Sequence, residues 1–319
     1  MPTMATHGFS TAAVLGTGMM GPGIAAVLAI GGLQATLVSR SQEGAAQGLE
    51  QALARIETLR ANKLLDDELA AEAVKRLGTT ANLEEAAGGA DIFIESGPEN
   101  LAWKQDFFVK LEKITGSQAV LASNTSGLSI TAIAHLAQNR GRILTTHFWN
   151  PPHLVPLVEI VKAEHTEDEV ALRVRDLLAA CGKTPVMIHK DRPGQLGNRL
   201  QMALVREAAN IIGEGIASAE DIDLALKRGL GLRYPAYGLL EHQDIVGLDL
   251  AGSICEYVGR DLYAGQDAPP YLKSLIADGH IGAKVGQGFL TWPEGKADEV
   301  RARRDKFLIE FLRSQLAKA

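Results

Sequence analysis

The sequence predicts an α/β protein in two parts: a mostly parallel, helix-covered sheet, followed by an all-α C-terminal domain. Between residues 11 and 189, short apolar runs alternate with segments whose apolar residues recur at helical spacing. After residue 190 the helical spacing continues, and the only strand candidate is a weak one at 288–291. We therefore expect one domain over residues 1–190 and a second over residues 191–319.

The first element is a strand that ends in a glycine-rich turn. The apolar run 11–15 leads into Gly16, Gly18 and Gly21, and a small-residue helical segment follows at once. The first glycine permits a tight turn, the second lets a pyrophosphate approach the backbone, and the third lets the helix pack on the strand. The unpaired N–H groups at the helix start favour a phosphate. A second apolar run, at 35–40, completes a βαβ unit, so the segment predicts a Rossmann-like, doubly wound dinucleotide-binding sheet.

The other elements follow in order along the chain. Residues 42–77 favour helices that are interrupted near 62–66. Strands are expected at 90–96, 119–124, 143–149, 154–161 and 184–189, and helices at 100–114, 129–138 and 167–181. The second part begins with a long apolar helix over 196–212, a candidate for dimer contacts as well as for the core.

Bulk properties narrow the functional class. The chain has 319 residues, 46% of them hydrophobic, and a net charge of −6, which argues against a protein that tracks nucleic-acid phosphates. No apolar run reaches the roughly 18 residues of a spanning helix, and the first residues do not resemble a signal peptide. Cys181 and Cys255 lie far apart, so neither a disulfide framework nor a metal site is expected. We expect a cytoplasmic protein without nucleic-acid or membrane partners.

Polar residues collect where the predicted strands end. In open α/β sheets, ligands bind at the carboxyl ends of the strands. These ends carry Ser39, Arg40, Glu95, Asn124, Ser126, His147 and Asn150. Glu159, on the next strand, can reach His147 across the intervening turn. A carboxylate that orients a histidine and stabilises its charged form makes it a better base, and oxidation of an alcohol needs a base.

Seven motifs resemble the 3-hydroxyacyl-CoA dehydrogenase family, which includes carnitine dehydrogenase and the gulonate dehydrogenase known as lambda-crystallin. They occur in the family's order and spacing at residues 16–25, 123–126, 147–151, 157–159, 193–199, 229–234 and 284–289. The resemblance extends over about residues 12–292. It implies hydride transfer between NAD(P) and the 3-hydroxy carbon of a 3-hydroxy acid or a 3-hydroxyacyl-CoA, and a homodimer formed through the C-terminal domain.

The resemblance also implies roles for single residues. His147 matches the catalytic base paired with Glu159, Ser126 matches a hydroxyl that contacts the substrate oxygen, and Asn198 matches an amide that polarises it. The implied cofactor contacts are Gly16, Gly18, Met19, Met20, Gly21, Ser39, Arg40, Glu99, Lys104, Asn150 and Lys284. Judged by residue type alone, Ser126 could be only a turn former and Asn198 only a helix cap. The charges at 99, 104 and 284 would then be typical solvated surface charges.

The first departure from the family lies at the end of the second strand. Family members that use NAD usually place an acidic residue there to bind the ribose 2′-hydroxyl, but this chain has Ser39 and Arg40. A hydroxyl beside a guanidinium would accept a 2′-phosphate, so we expect NADP to be accepted and slightly favoured. Arg40 could instead stack on the adenine without discriminating between the two cofactors.

The second departure concerns the substrate. The positions that resemble the family's CoA-contacting serine and lysine hold Arg55 and Asn62, in a segment that also carries several glutamates. Such a segment attracts the phosphates of CoA poorly. This favours a small free 3-hydroxy acid, as in the gulonate and carnitine branch of the family. Arg233 would bind its carboxylate if the side chain faces the site, and is otherwise a structural arginine.

Two other functions remain open from the sequence. A 6-phosphogluconate-like β-hydroxyacid dehydrogenase has the same architecture and suits Ser39 and Arg40, but it uses a lysine base, which His147 and Glu159 argue against. A dinucleotide-binding sensor or structural protein would bind the cofactor without turnover. Replacing His147 with Gln discriminates the second case, because only a dehydrogenase would lose its activity.

Overall fold

The strands of the chain lie in one sheet. The computed structural model describes residues 8–317, and within that range eight strands pair in the order β3-β2-β1-β4-β5-β6-β7-β8. They are β1 (Thr11–Leu15), β2 (Gln34–Val38), β3 (Leu77–Thr80), β4 (Ile92–Glu95), β5 (Val120–Ser123), β6 (Ile143–Phe148), β7 (Leu157–Lys162) and β8 (Thr184–Ile188). All neighbouring strands are parallel except β6 and β7. The predicted doubly wound, mostly parallel sheet is confirmed.

Helices cover both faces of this sheet. They are α1 (Gly21–Ile30), α2 (Gln42–Ala61), α3 (Asp67–Arg76), α4 (Leu83–Gly88), α5 (Leu101–Ile114), α6 (Ile130–Ile133) and α7 (Asp168–Ala180). The predicted break between two helices near residues 62–66 is confirmed. The sequence does not predict β3 or α4. β3 reads Leu-Gly-Thr-Thr and is only half-buried, so it lacks the apolar run that marks the other strands.

The core consists of two apolar layers, one on each face of the sheet. β4 and β5 are buried along their whole length, as expected for central parallel strands. In α1 every residue from Gly21 to Ala29 is buried, and small side chains let this helix lie close to the sheet. The winding of the sheet reverses between β1 and β4. Their carboxyl ends therefore border the crevice where such sheets bind ligands.

The second part of the chain is helical. It contains α8 (Gly197–Gly213), α9 (Ala219–Arg228), α10 (Leu230–Arg233), α11 (Leu239–Val246), α12 (Leu248–Val258), α13 (Pro270–Ala277) and α14 (Lys296–Leu316). The weak strand candidate at 288–291 is wrong, because only an isolated bridge pairs Gln287 with Thr291. No helix within residues 8–317 is both long enough and apolar enough to cross a membrane.

The described chain separates into two compact units, whose limits differ from the expected 1–190 and 191–319. The first contains residues 8–198 and 304–317, and the second contains residues 199–303. Residues 191–198 belong with the sheet, since Asp191 accepts hydrogen bonds from the Ser129 hydroxyl and the Thr131 N–H. The end of α14 belongs there too, since Arg313 donates to the backbone and side-chain oxygens of Asn62.

Candidate active site

A histidine and a glutamate face each other on the only antiparallel pair of strands in the described sheet. The register of β6 and β7 sets His147 opposite Glu159, and both side chains are buried. Residues directly opposite on antiparallel strands project from the same face and are within contact distance. His147 Nδ1 lies 2.6 Å from Glu159 Oε2. The structure thus brings together the two residues that the sequence pairs; their catalytic role stays a prediction.

The Glu159 carboxylate is surrounded by hydrogen-bond donors. Besides His147, Oε2 accepts from the indole Nε1 of Trp149 at 3.0 Å, and Oε1 accepts from the N–H groups of Leu196 and Gly197 at 3.0 and 2.8 Å. Burial raises the pKa of Glu159, but the hydrogen bonds from His147, Gly197 and Trp149 and the charge of His147 outweigh it and lower the pKa to about 2. Glu159 is therefore ionised at neutral pH.

The carboxylate determines which nitrogen of His147 can exchange a proton. An ionised carboxylate only accepts hydrogen bonds, so Nδ1 of His147 carries a hydrogen directed at Glu159. Nε2 is left to take or give a proton. The negative charge of Glu159 also stabilises the ring when it is doubly protonated. This arrangement suits general acid–base catalysis.

The turn after β5 carries Ser126. Glu99 binds this turn, because its Oε1 accepts hydrogen bonds from the Thr125 hydroxyl at 2.6 Å and from the N–H groups of Ser126 and Gly127, each at 3.1 Å. Asn198 Nδ2 donates to the Ser126 carbonyl at 2.7 Å. The structure therefore brings Ser126, Glu99 and Asn198 together, with the Ser126 hydroxyl unbonded within residues 8–317 and exposed.

The glycine-rich loop has the backbone geometry that a dinucleotide site needs. Gly16 has φ = 108°, and a Cβ on Gly21 would lie 1.7 Å from the carbonyl oxygen of Gly16, so both positions require glycine. Apart from Gly18 and its two chain neighbours, no atom of residues 8–317 lies within 4 Å of where a Cβ on Gly18 would be, and Met19 is largely exposed. Met20 is the N-cap residue of α1 and makes no side-chain cap hydrogen bond, which leaves the first N–H groups of the helix available to a phosphate. The loop fits a dinucleotide.

The end of β2 confirms the departure seen in the sequence. Ser39 is half-buried, with its hydroxyl 3.5 Å from that of Thr17. Arg40 is exposed and makes no hydrogen bond or ion pair within residues 8–317. The chain ends β2 with a hydroxyl and a free guanidinium, and without a carboxylate.

Lys104 is buried, so its interpretation as a solvated surface charge is wrong. Its side chain is 1% exposed, and its ammonium donates to both oxygens of Glu95 at 2.6 and 2.7 Å. Glu95 also accepts from the Ser123 hydroxyl and the Gly97 N–H. Glu99 Oε2 lies 3.7 Å from the same ammonium. A charge in an apolar strand such as Ile92–Glu95 needs a partner, and that requirement was a signal for this ion pair.

The remaining expected site residues are exposed. Asn150 follows β6 at the start of the turn, where its peptide bond to Pro151 is cis. Lys284 lies in the short 3₁₀ turn Ala283–Val285, and Arg233 ends α10. The latter two belong to the second unit. Their roles in binding cofactor and substrate stay predictions.

Comparison with known proteins places this geometry in a family context. The model of the 3-hydroxyacyl-CoA dehydrogenase NAD binding domain matches residues 11–192, and that of the C-terminal domain of the same enzymes matches residues 194–292. The chain is 32% identical over 301 residues to 5-formyl-3-hydroxy-2-methylpyridine 4-carboxylate 5-dehydrogenase of Mesorhizobium japonicum, covering 93% of this chain and 95% of that protein. It is 35% identical over 283 residues to a probable 3-hydroxybutyryl-CoA dehydrogenase of Bacillus subtilis, covering 88% and 96%.

Solved structures agree with these relatives. A 5-formyl-3-hydroxy-2-methylpyridine 4-carboxylic acid 5-dehydrogenase, described as an NAD+ dependent dismutase, superimposes with a TM-score of 0.89 at 30% identity and covers 96% of this chain and 98% of that one. The (S)-3-hydroxybutyryl-CoA dehydrogenase of Ralstonia eutropha gives a TM-score of 0.74 at 30% identity and covers 90% and 100%.

Proposed function

Because this chain belongs to the 3-hydroxyacyl-CoA dehydrogenase family, and is thus an NAD-dependent oxidoreductase acting on CH–OH groups, we propose that His147 and Glu159 perform its proton transfer. The observation that carries this proposal is the 2.6 Å contact between His147 Nδ1 and an ionised, fully hydrogen-bonded Glu159. A histidine held in this way has Nε2 available and can store a proton between substrate and solvent.

Each residue then has a distinct task in oxidation of the alcohol. The glycine-rich loop at Gly16, Gly18 and Gly21 would hold NAD, which would supply the acceptor for the hydride that leaves the hydroxyl-bearing carbon. His147 Nε2 takes the hydroxyl proton as the hydride leaves, and Glu159 stabilises the resulting positive ring. Ser126 contacts the substrate oxygen through its free hydroxyl, and Asn198 helps to polarise that oxygen while fixing the Ser126 carbonyl. In reduction, His147 returns the proton.

We propose a small free hydroxy acid as the substrate, as in the gulonate and carnitine branch, rather than a CoA thioester. Asn62, at a position that resembles a CoA contact, is already bound by Arg313 through two hydrogen bonds. Glu57 and Arg60 on the same helix pair with each other. The Mesorhizobium relative, which aligns with 93% of this chain, is named for a carboxylate that carries no CoA.

Arg233 is our proposed ligand for the substrate carboxylate. A guanidinium binds a carboxylate through two parallel hydrogen bonds, so its loss should raise KM by about tenfold and leave kcat nearly unchanged. Initial rates of the Arg233→Leu variant would measure this. An unchanged KM would remove Arg233 from the site.

NADP is our proposed preferred cofactor, with NAD also accepted. Ser39 and the unpaired Arg40 offer a hydroxyl and a positive charge where a 2′-phosphate would lie. Values of kcat/KM with both cofactors decide the question, and a tenfold preference for NAD would refute it. Arg40→Ser should weaken NADP selectively; equal weakening of both cofactors would indicate stacking on adenine instead.

A homodimer through the second unit is our proposed assembly, in the cytoplasm. That unit has a largely apolar groove of about 700 Å³ and many exposed apolar side chains, such as those of Leu240, Ile245, Leu248 and Tyr257. Cys181 and Cys255 are both free thiols, as in proteins of reducing compartments. Light scattering after size exclusion should give twice the chain mass, and Ile245→Asp should lower it; a monomer would contradict the proposal.

One screen tests the function as a whole. Wild-type protein is assayed by the absorbance of reduced nicotinamide with free 3-hydroxy acids, their CoA thioesters and 6-phosphogluconate, each with NAD and NADP. Turnover of free 3-hydroxy acids is the expected result. Turnover of thioesters alone would overturn the substrate proposal, and 6-phosphogluconate alone would favour the other dehydrogenase class. Cofactor binding without turnover of any compound would favour a sensor.

A further inference from the structure

The segment between β8 and α8 supplies two of the four donors on Glu159. The N–H groups of Leu196 and Gly197 converge on Oε1 at 3.0 and 2.8 Å. Gly197 also lies against the indole of Trp149, since a Cβ there would come within 2.2 Å of Cζ2. Trp149 is itself a donor to Glu159. The position of this backbone therefore bears directly on the charge state of Glu159.

Gln195 controls the path of that backbone. Its φ is 54°, in the left-handed region that disfavours any residue with a Cβ, and it follows Gly194 at φ = 77°. A left-handed residue within a turn can direct successive N–H groups toward one point, which forms a binding place for an anion. Here the anion is the Glu159 carboxylate. The strained residue is the one that directs the two donors.

The side chain of Gln195 binds the other half of the site. It is 5% exposed, and its Nε2 donates to the carbonyl oxygen of Thr125 at 2.8 Å. Its Oε1 is buried without a hydrogen-bond partner in the described chain. A flipped amide would set two oxygens against each other, so the bond to Thr125 fixes the amide orientation. Thr125 immediately precedes Ser126, whose own carbonyl is bound by Asn198.

We propose that Gln195 is a positioning residue that holds the Ser126 turn and the Glu159 carboxylate in fixed relation through one amide and one left-handed backbone. This inference rests on the proposed roles of Ser126 and Glu159. The two parts of Gln195 have separate effects: the amide orders the turn that contacts the substrate oxygen, whereas the backbone supplies donors that keep Glu159 ionised.

Two substitutions separate these effects. Gln195→Gly keeps the left-handed backbone and removes the amide, so kcat should fall by about tenfold, with the Kd of NADH unchanged and the proton uptake of the His147–Glu159 pair unshifted. Gln195→Val disfavours the left-handed backbone. Glu159 would then lose the hydrogen bonds from the N–H groups of Leu196 and Gly197, which raises the proton affinity of the His147–Glu159 pair. The midpoint of proton uptake by the pair should therefore rise by about half a pH unit or more.

The midpoint is measured by NMR titration of the His147 ring, which needs no turnover, and thermal melting verifies that each variant is folded. Should Gln195→Val fail to fold, Gln195→Ala carries the same prediction with a smaller shift. Lys63→Gly is the matched control, because Lys63 has φ = 57° in the turn between α2 and α3, away from the site residues in sequence. It should change neither kcat nor the midpoint.

The outcomes distinguish this inference from the proposed function. An unchanged kcat in Gln195→Gly together with an unchanged midpoint in Gln195→Val would refute the role of Gln195 while leaving the dehydrogenase intact. Equal midpoint shifts in both variants would show that the backbone does not act separately, which also contradicts it. Absence of turnover in the wild type would refute the proposed function. The NMR titration of His147 would still test whether the backbone at Gln195 affects proton uptake by the His147–Glu159 pair.

Discussion

Two buried histidines six residues apart, His147 and His153, have opposite electrostatic surroundings. They are 5% and 8% exposed. His147 faces the ionised Glu159, whereas Nδ1 of His153 has no hydrogen-bond partner in the described chain. Burial, and then the positive charges of Arg55 and Lys183, lower the pKa of His153 to about 4. Burial and nearby positive charges therefore keep a histidine neutral, whereas a carboxylate partner stabilises its protonated form.

The largest loss of activity should come from removing the imidazole ring of His147. His147→Gln should lower kcat by about 10²–10⁴-fold, because a positioned general base contributes an acceleration of that order. Binding of NADH, measured by fluorescence, should be unchanged. His153→Gln is the matched control, since it replaces a neighbouring buried histidine, and its turnover at pH 7 should equal that of the wild type. Similar losses in both variants would mean that burial and packing explain the effect.

Removing the carboxylate should make His147 resemble His153. Glu159→Gln keeps the shape of the side chain but removes the charge that stabilises the protonated ring, so kcat/KM should fall by about 10²-fold. The proton uptake of the histidine should move to lower pH, which NMR titration would record. A variant with unchanged titration would show that Glu159 does not act on His147.

His153 should make folding stability depend on pH. With a pKa of about 4 when folded and 6.5 as its ordinary value, it binds its proton more readily in the unfolded chain, so folding stability is lost as the pH falls from about 6.5 towards 4. The loss due to His153 should be about 2 kcal/mol between pH 7 and pH 5.

Urea unfolding at the two pH values measures this loss, and His153→Gln should abolish it. Glu159 affects folding stability in a different pH range. Its pKa is lowered from 4.5 to about 2, so the stability it contributes is lost only as the pH falls from about 4.5 towards 2. Persistence of the loss between pH 7 and pH 5 in His153→Gln would contradict the assignment to that residue.

The smallest loss of activity should come from removing one of the four hydrogen-bond donors to Glu159. Trp149→Phe removes the indole hydrogen bond to Glu159 Oε2 and keeps an aromatic ring. We expect kcat/KM to fall by about threefold, because three donors remain on the carboxylate. Steady-state kinetics would resolve the change. A loss as large as that of Glu159→Gln would show that the ring has another function.

The His147–Glu159 pair could be predicted because both residues lie on strands marked by apolar runs, joined by a short turn that the prolines identify. The Rossmann-like sheet followed from the glycine spacing and from the alternation of strands with helices. Both predictions depend on the spacing of residues that lie close together in the chain, and a single sequence shows that spacing directly.

The features that the sequence did not predict depend on long-range packing. The burial of Lys104 requires Glu95 on a neighbouring element. The lowered pKa of His153 depends first on burial and then on charges from α2, from Lys183 just before β8, and from α14. The left-handed backbone at Gln195 could not be predicted for another reason. Glutamine rarely adopts this conformation, whereas a glycine or an asparagine at this position would have indicated it.

The central claim, that His147 exchanges the proton of the reaction, is tested most directly by kcat/KM of the wild type in both directions between about pH 5 and pH 9. Oxidation needs the neutral ring and reduction the protonated ring. We predict that oxidation falls tenfold per unit below one midpoint and is flat above it, while reduction is flat below the same midpoint and falls above it. If one direction alone carried the pH dependence throughout this range, no group that titrates between pH 5 and pH 9 would be exchanging the proton, and the account would be contradicted.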